Sequence, residues 1–373
     1  MKGETTADMT SMHLSMTTGR ENSIHMDASN LLKVHEPGLK DTTISKTHHN
    51  QVERLLEFLK HELLQKDNFF CEMMGLIGNS YSRQNAEHIH KFDQIMAKIN
   101  ETEKGLYVEY NLDEDTKEEA RIAFELAKEE IYQIEDFIYN CLKVLLTQLS
   151  RRSKDDNSLV PSENELNELT WKLLFEKNQC YWTFFKLTRY YTIEDEINLR
   201  NAYIRLKGIH PARFGIDTEF CQEGEEVPYA PVVELINDFE KYTTPNKKFH
   251  LMYSIRKHIL EEVDRYRKEH TSNQKPLVVS GDHLLPLYTF CLASNGNEQL
   301  RAHQVFVETF LPRDKLEFDE QGYCYSTFVG AVDSLVSRKD VRESIRDTLQ
   351  RLSGLSGFSG LSGFYASTTQ KGF

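Results

Sequence analysis

The chain has 373 residues, of which 39% are hydrophobic and 28% are charged, a balance that suits a soluble globular protein with room for two domains. Its formal net charge is -13. This charge argues against a nucleic-acid binder and against a polybasic membrane patch, because both need clustered Lys and Arg to neutralise phosphate. It favours a partner with a basic surface.

The six cysteines are widely spaced and include no C-x-x-C pair, so we expect reduced thiols and no disulfide framework. The N-terminus lacks the pattern of a secretory signal, and no apolar stretch approaches the roughly 20 residues that span a bilayer. These features predict a cytosolic protein without a transmembrane segment.

The N-terminal part of the chain changes character near residue 48. Residues 1–47 are rich in Thr, Ser, Met and His without an apolar period, and we predict that they form a disordered tail. Apolar residues at helical spacing then run from Val52 to Ile77, and a second helix is predicted around Ile89–Ile99. The expected break between the two helices is at Asn79–Ser80.

The longest predicted helix starts near Asp115, which forms a capping-box pattern with Glu118. Its apolar stripe has helical spacing throughout: Ala120, Ala123, Phe124, Ala127, Ile131, Ile134, Ile138, Leu142, Leu145 and Leu149. After a polar break, Ser162 and Glu165 begin a helix that leads into the aromatic run 181–185, which we interpret as core or as a domain-docking surface.

The remaining helices are predicted from caps and stops. Thr192 with Asp195 starts a helix that ends at Gly208, and Thr244 with Pro245 supplies the N-cap and first residue of another. No stretch alternates like a sheet strand, so the predicted fold class is all-α. The last segment, 341–373, is charged and then rich in Ser and Gly, which predicts a flexible tail.

A further helix start lies at Ser280, which can cap free backbone N–H groups. Asp282 falls in the first turn, where the helix dipole favours a negative charge. Such an acid either complements the dipole alone or meets an external cation, and the local pattern leaves both interpretations open. Pro286 removes one backbone donor and is expected to kink the helix, which would direct its N-terminus.

Two motifs in a fixed order carry a family resemblance. Asp282 and Pro286 form Asp-x-x-x-Pro, and the segment Gly322–Ser326 forms Gly-Tyr-x-x-Ser. With these motifs, the chain resembles the vacuolar-protein-sorting-nine (VPS9) domain, whose members exchange guanine nucleotide on endosomal Rab GTPases. The resemblance covers roughly Thr192 to Leu335 and draws on further matching residues: Ile209–Ile216, Tyr242–Lys248, Phe306, Phe310 and Leu316.

The resemblance implies a domain organisation. A layered helical exchange domain is expected at 191–340, preceded by a helical region at 48–190 that could act as a supporting bundle. This N-terminal region carries no recognised family motif, so its role is left open.

The resemblance also implies roles for individual residues. Asp282 would enter the nucleotide site of the GTPase and engage its phosphate-loop lysine, while Tyr323 would help to hold the switch regions. Pro286, Gly322 and Ser326 are expected to belong to the GTPase-binding surface. Ser326 stands where the family usually has threonine, a mild departure because the hydroxyl is kept.

The implied function is a guanine nucleotide exchange factor that promotes GDP release from a Rab-five-like GTPase in endocytic traffic. Such a protein would be cytoplasmic and peripherally associated with early endosomes through partners. It breaks no covalent bond, and we expect no cofactor and no metal site. The alternative is an all-helical scaffold that binds a Rab without accelerating release. Hydrolase and metal-enzyme motifs are absent or incomplete, as at His61–Gln65, which lacks the second histidine of a zinc-protease helix.

Overall fold

The computed structural model describes residues 12–13, 25–26, 63, 69–101, 107–108, 110–152, 161–176, 179–220, 228–270, 279–337 and 339–354. Two short strands, β1 (Met12–His13) and β2 (His25–Met26), pair antiparallel. Every longer element in the described ranges is a helix, which confirms the all-α fold class. Most of the tail predicted to be disordered and the helical pattern before residue 69 lie outside the described residues.

Thirteen helices lie in the described part of the chain. Their bounds are α1 Phe69–Gln84, α2 Ala86–Glu101, α3 Glu114–Arg152, α4 Glu163–Trp171, α5 Gln179–Tyr191, α6 Ile193–Leu206, α7 Ala230–Ile236, α8 Pro245–His270, α9 Gly281–Asn295, α10 Leu300–Phe310, α11 Arg313–Glu317, α12 Asp319–Val336 and α13 Val341–Gly354. A π-helical turn, Lys172–Glu176, extends α4. Three short 3₁₀ turns lie at Pro211–Phe214, Thr218–Phe220 and Asn237–Phe239.

The chain divides into two compact units, one formed by 1–80 and 133–178 and the other by 81–132 and 179–373. In the first unit, the indole N–H of Trp171 donates to a carboxylate oxygen of Glu135 at 2.6 Å. Burial raises the pKa of Glu135 to about 7, because the charged form loses hydration. The predicted capping box of α4 is present in this unit, with the Ser162 N–H donating to Glu165 at 2.8 Å.

The break predicted at Asn79–Ser80 is wrong, because α1 continues through both residues. The turn between α1 and α2 lies at Asn85. There the side-chain amide of Asn85 donates to the carbonyl oxygen of Tyr81 at 2.9 Å, and such local side-chain bonds compete with regular helix hydrogen bonds.

The start of α3 also differs from the prediction. Asp113 is the capping residue, since its carboxylate accepts from the N–H of Thr116 at 2.7 Å. Glu118 turns outward and pairs with Arg121 at 2.6 Å. The apolar stripe itself is buried from Ala120 to Leu145, as predicted, whereas the side chain of Leu149 lies outside the described residues.

Thr192 does not cap α6 with its side chain. Its hydroxyl donates backwards to the carbonyl oxygen of Thr188 at 3.0 Å, and the N–H of Thr192 donates to the same oxygen at 3.0 Å. The backbone of α5 therefore continues almost directly into α6, so few N–H groups at the start of α6 need a capping side chain. The predicted stop at Gly208 is confirmed by its φ of 72°, and Pro245 is the first residue of α8 as predicted.

In the second unit, α9 and α12 form the centre. The nine residues from Leu284 to Leu292 are all buried, which is the pattern of a helix surrounded by protein on every side. The neighbour α12 packs against α6, α8, α9, α11 and α13. Because the middle of α9 is buried, only residues at the ends of this helix can contact a partner.

The aromatic run on α5 belongs to the core of the same unit, as predicted. Tyr181 meets Phe306 of α10 edge to face, with ring centroids 5.5 Å apart, and Phe184 meets Phe310 at 5.5 Å. Trp182 is the exception, because 59% of it is exposed.

Candidate functional site

The first turn of α9 is fixed by Ser280 and His283. The N–H of Leu284 donates to the Ser280 carbonyl at 2.9 Å, and the N–H of Ser280 donates to Nδ1 of His283 at 3.3 Å. The imidazole of His283 also lies against the ring of Phe220, and its Nε2 is 3.6 Å from Asp217. The connection between α6 and α7 thus holds this helix end in place.

Asp282 is the second residue of α9 and its side chain is exposed. It makes no hydrogen bond or ion pair with the part of the chain that the structure describes. Since Pro286 has no N–H, the carbonyl of Asp282 also lacks the usual helical donor four residues later. The result is a carboxylate at the positive end of a helix, open to an external cation.

Tyr323 comes from the second turn of α12 and lies beside this helix end. A Cβ atom placed on Gly281 would lie 2.8 Å from the Tyr323 hydroxyl oxygen, so the phenol rests directly against the first residue of α9. Tyr323 is half-buried. The structure therefore brings together Asp282 and Tyr323, the two residues predicted as catalytic, although they belong to different helices.

Pro286 and Gly322 have a different placement. Both are buried, although the sequence prediction assigns them to the GTPase-binding surface. A Cβ atom on Gly322 would lie 2.9 Å from the backbone carbon of Glu317 and 3.1 Å from the carbonyl oxygen of Leu316, so the absence of a side chain allows α12 to approach the end of α11. In the structure both residues are packed in the interior, where they support the site and do not line its surface.

Ser326 remains partly accessible and its hydroxyl donates to the carbonyl oxygen of Gly322 at 3.0 Å. Tyr325, by contrast, turns inward and its hydroxyl donates to Glu308 at 2.5 Å. Burial, followed by the charge of Glu308, raises the pKa of Tyr325. Within the Gly-Tyr-x-x-Ser motif, Tyr323 and Ser326 are therefore the side chains that reach the surface.

Two features at the start of α12 are not part of the sequence prediction. Asp319 has a left-handed φ of 72°, and its carboxylate accepts from the N–H groups of Gln321 at 2.7 Å and Gly322 at 3.1 Å. Phe318, just before it, is 67% exposed. An aspartate at the start of a helix, followed two and three residues later by backbone N–H groups that it can accept from, is a recognisable capping signal. Nothing in the local sequence, by contrast, indicates that Phe318 is exposed.

A basic group also lies near the site, where Arg256 pairs with Glu320 of α12 at 2.6 Å. Among the described residues, no cluster of three or more His, Cys, Asp or Glu side chains has the geometry of a metal site. No helix in the same residues is long and apolar enough to cross a bilayer. The exposed carboxylate of Asp282 suits binding to a cationic group.

Comparison with known families places the site inside one domain. Residues 229–339 match the model of the vacuolar sorting protein 9 (VPS9) domain, a range that runs from just before α7 to just before α13 and contains Asp282 and Tyr323. The match is shorter than the expected resemblance, since α6 and the loop after it lie outside it. A search of curated proteins found no similar sequence. The chain therefore contains a VPS9 domain at residues 229–339.

Proposed function

We propose that this protein promotes GDP release from a Rab-five-like endosomal GTPase, with Asp282 as the group that enters the nucleotide site. The observation that carries this proposal is the exposed and unpaired carboxylate of Asp282 at the end of an otherwise buried helix. A rigid helix fixes the position of the acid, and the lack of an internal partner leaves its charge available.

The proposed mechanism is competition for a cation. A GTPase holds its nucleotide partly through a lysine that contacts the phosphates. When the Asp282 carboxylate takes up that lysine, the nucleotide loses the contact and its affinity falls. Two opposite charges about 4 Å apart interact by roughly 4 kcal/mol at an effective dielectric of about 20, which corresponds to about a thousandfold in an equilibrium constant. The effect acts only through differential binding of two states, and no bond is broken.

The other site residues would support this step. The hydroxyls of Tyr323 and Ser326, three residues apart on α12, would bind the switch regions of the GTPase. Pro286 and Gly322 would contribute by holding α9 and α12 at their present positions. A cytoplasmic protein that meets its GTPase on early endosomes, in endocytic traffic, is the setting that the family resemblance supports.

The charge of Asp282 provides the direct test. We expect Asp282→Asn to lose most of the acceleration of fluorescent-GDP release from a responsive Rab, because its volume is kept and only the charge is removed. The matched control is Asp136→Asn, which changes an exposed aspartate on α3 outside the VPS9 match. The Asp282→Asn variant should melt at the same temperature as the unmodified protein.

The same experiment distinguishes the scaffold alternative. Release would be followed across a panel of Rab GTPases together with binding of each GTPase. Full activity of Asp282→Asn on a responsive Rab would contradict the mechanism. Binding of a Rab without faster release by the unmodified protein would instead favour a scaffold.

A further inference from the structure

A groove runs along α12 on the side facing α13. Its wider part is a cavity of about 960 Å³ whose apolar floor is formed by Leu311, Leu316, Tyr325 and Val329, while charged side chains such as Arg313 and Glu317 also line it. A second cavity of about 540 Å³ adjoins it and shares Asp333, Thr348 and Arg351 with the first. The two cavities therefore form one continuous groove with an apolar end and a polar end.

Helix α13 contributes its C-terminal part to the apolar end, through Thr348 and Arg351. The sequence after α13 is unusual, because Leu355, Phe358, Leu361 and Phe364 recur at every third position with Ser-Gly between them. In an extended chain with three residues per turn, side chains at this spacing fall on one side.

We propose that the segment Leu355–Phe364 binds in the apolar end of this groove within the same chain. The segment contains no charged residue and carries an aliphatic or aromatic side chain at every third position, which matches an apolar floor. The chain is helical as far as Gly354, at about 1.5 Å per residue, and can extend by about 3.3–3.6 Å per residue after it, so Phe358 reaches roughly 18 Å from Arg351. No long connection has to be ordered before the first side chains meet the groove.

The short connection also favours binding within one chain. A segment that follows α13 directly in the same chain has an effective concentration on the order of millimolar at its own groove. Even a weak contact is then occupied most of the time. Binding would fix the backbone of the glycines, and this loss of conformational entropy opposes it. We therefore expect the contact to be reversible.

The position of the groove gives the contact a consequence for exchange. Ser326 lines the apolar end, so a bound segment would cover one of the two hydroxyls assigned above to the GTPase. This consequence rests on the proposed function, whereas the binding of the segment does not. The contact would lower the exchange activity of the resting protein.

The occupancy of the groove can be measured by thiol labelling in the full chain. Val329→Cys places a thiol in the floor, and its reaction with a maleimide is followed by peptide mass spectrometry. This protein is compared with one in which Leu355, Phe358, Leu361 and Phe364 are also changed to Ser. The matched control changes Ser356, Ser359 and Ser362 to Ala and keeps the apolar residues.

We expect the serine-substituted tail to speed labelling at position 329 by about tenfold, as for a groove occupied roughly nine-tenths of the time. The control tail should leave the rate slow, and labelling of the native Cys71 should be the same in all proteins. Equal rates at position 329 with all tails would overturn the proposal. Protection that disappears on dilution would also overturn it, because the segment would then come from a second copy.

Exchange measurements separate this proposal from the proposed function. Faster labelling together with faster GDP release supports both the docked segment and the Ser326 contact. Faster labelling with unchanged GDP release supports the docked segment and counts against the contact of Ser326 with the GTPase.

Discussion

At the scale of single residues, the hydroxyl of Tyr323 is the group whose role is most open to test. It lies against Gly281 at the start of α9, next to the residue that carries the proposed catalytic charge. A tyrosine in this position can act through its ring, which packs, or through its hydroxyl, which can bind a partner. The two roles differ in the effect expected when one oxygen atom is removed.

We expect Tyr323→Phe to weaken exchange by about 1 kcal/mol, or five- to tenfold, because one hydrogen bond to the GTPase is lost. The buried apolar area is kept, so any fall in the melting temperature would report a hydrogen bond of this hydroxyl inside the protein. Stopped-flow GDP release and thermal melting measure the two quantities. Unchanged exchange would restrict the role of Tyr323 to packing.

The control for this change is Tyr191→Phe. Tyr191 is 43% exposed and stacks on Phe124 with ring centroids 4.7 Å apart. The other tyrosine of the motif, Tyr325, is unsuitable as a control, because its own hydroxyl donates to Glu308. Removing that oxygen would break a charge-assisted hydrogen bond made by a buried tyrosine and lower stability.

At the scale of elements, α5 is the helix that extends the exchange domain beyond the matched range. It precedes residue 229, yet Tyr181, Phe184 and Phe185 pack on α10, which lies inside the match. A protein cut near the family boundary would therefore expose part of its core to water.

We expect a chain beginning at Tyr190 to be less stable than the full chain by about 5 kcal/mol, since three large aromatic side chains at roughly 1.5–3 kcal/mol each lose their burial or their partners. Its melting temperature and solubility are the measurements. A chain beginning at Gln51, which lacks only the predicted disordered tail, is the control. Equal melting temperatures for all three proteins would show that α5 adds nothing to the stability of the domain.

The same elements show how far sequence reasoning reaches. The stripe of α3 and the aromatic run of α5 are predicted correctly, because burial of apolar residues at helical spacing dominates helix formation. The cap of α3 is misplaced since Asp113 and Asp115 are equally good capping residues and only the backbone decides between them. The contact of Tyr323 with Gly281 depends on the packing of two helices and has no local signal.

At the scale of the whole molecule, stability depends on a buried pair of basic groups. Lys248 is fully buried, and its ammonium nitrogen donates to the Phe239 carbonyl at 2.5 Å and lies 3.1 Å from Nδ1 of His303. The imidazole of His303 stacks between Phe185 and Phe239, and its Nε2 has no partner among the described residues.

Both basic groups are harder to protonate in the folded protein than in the unfolded chain. Burial lowers the pKa of Lys248 well below its ordinary value. Burial and then the neighbouring Lys248 lower the pKa of His303 well below 6.5. At these two positions the unfolded chain therefore binds more protons than the folded protein below about pH 6.5, so their contribution to the free energy of unfolding falls as the pH falls.

Between pH 7 and pH 5.5, we expect the free energy of unfolding to fall by about 1 kcal/mol more in the unmodified protein than in His303→Gln. Glutamine does not titrate, whereas the histidine of the unfolded chain, with a pKa of about 6.5, takes up a proton over this range. Glu135 acts in the opposite direction, since its raised pKa of about 7 favours the folded state at low pH. It is present in both proteins and cancels in the comparison. Urea unfolding at a series of pH values measures the difference, and parallel pH profiles would mean that His303 can be protonated inside the folded protein.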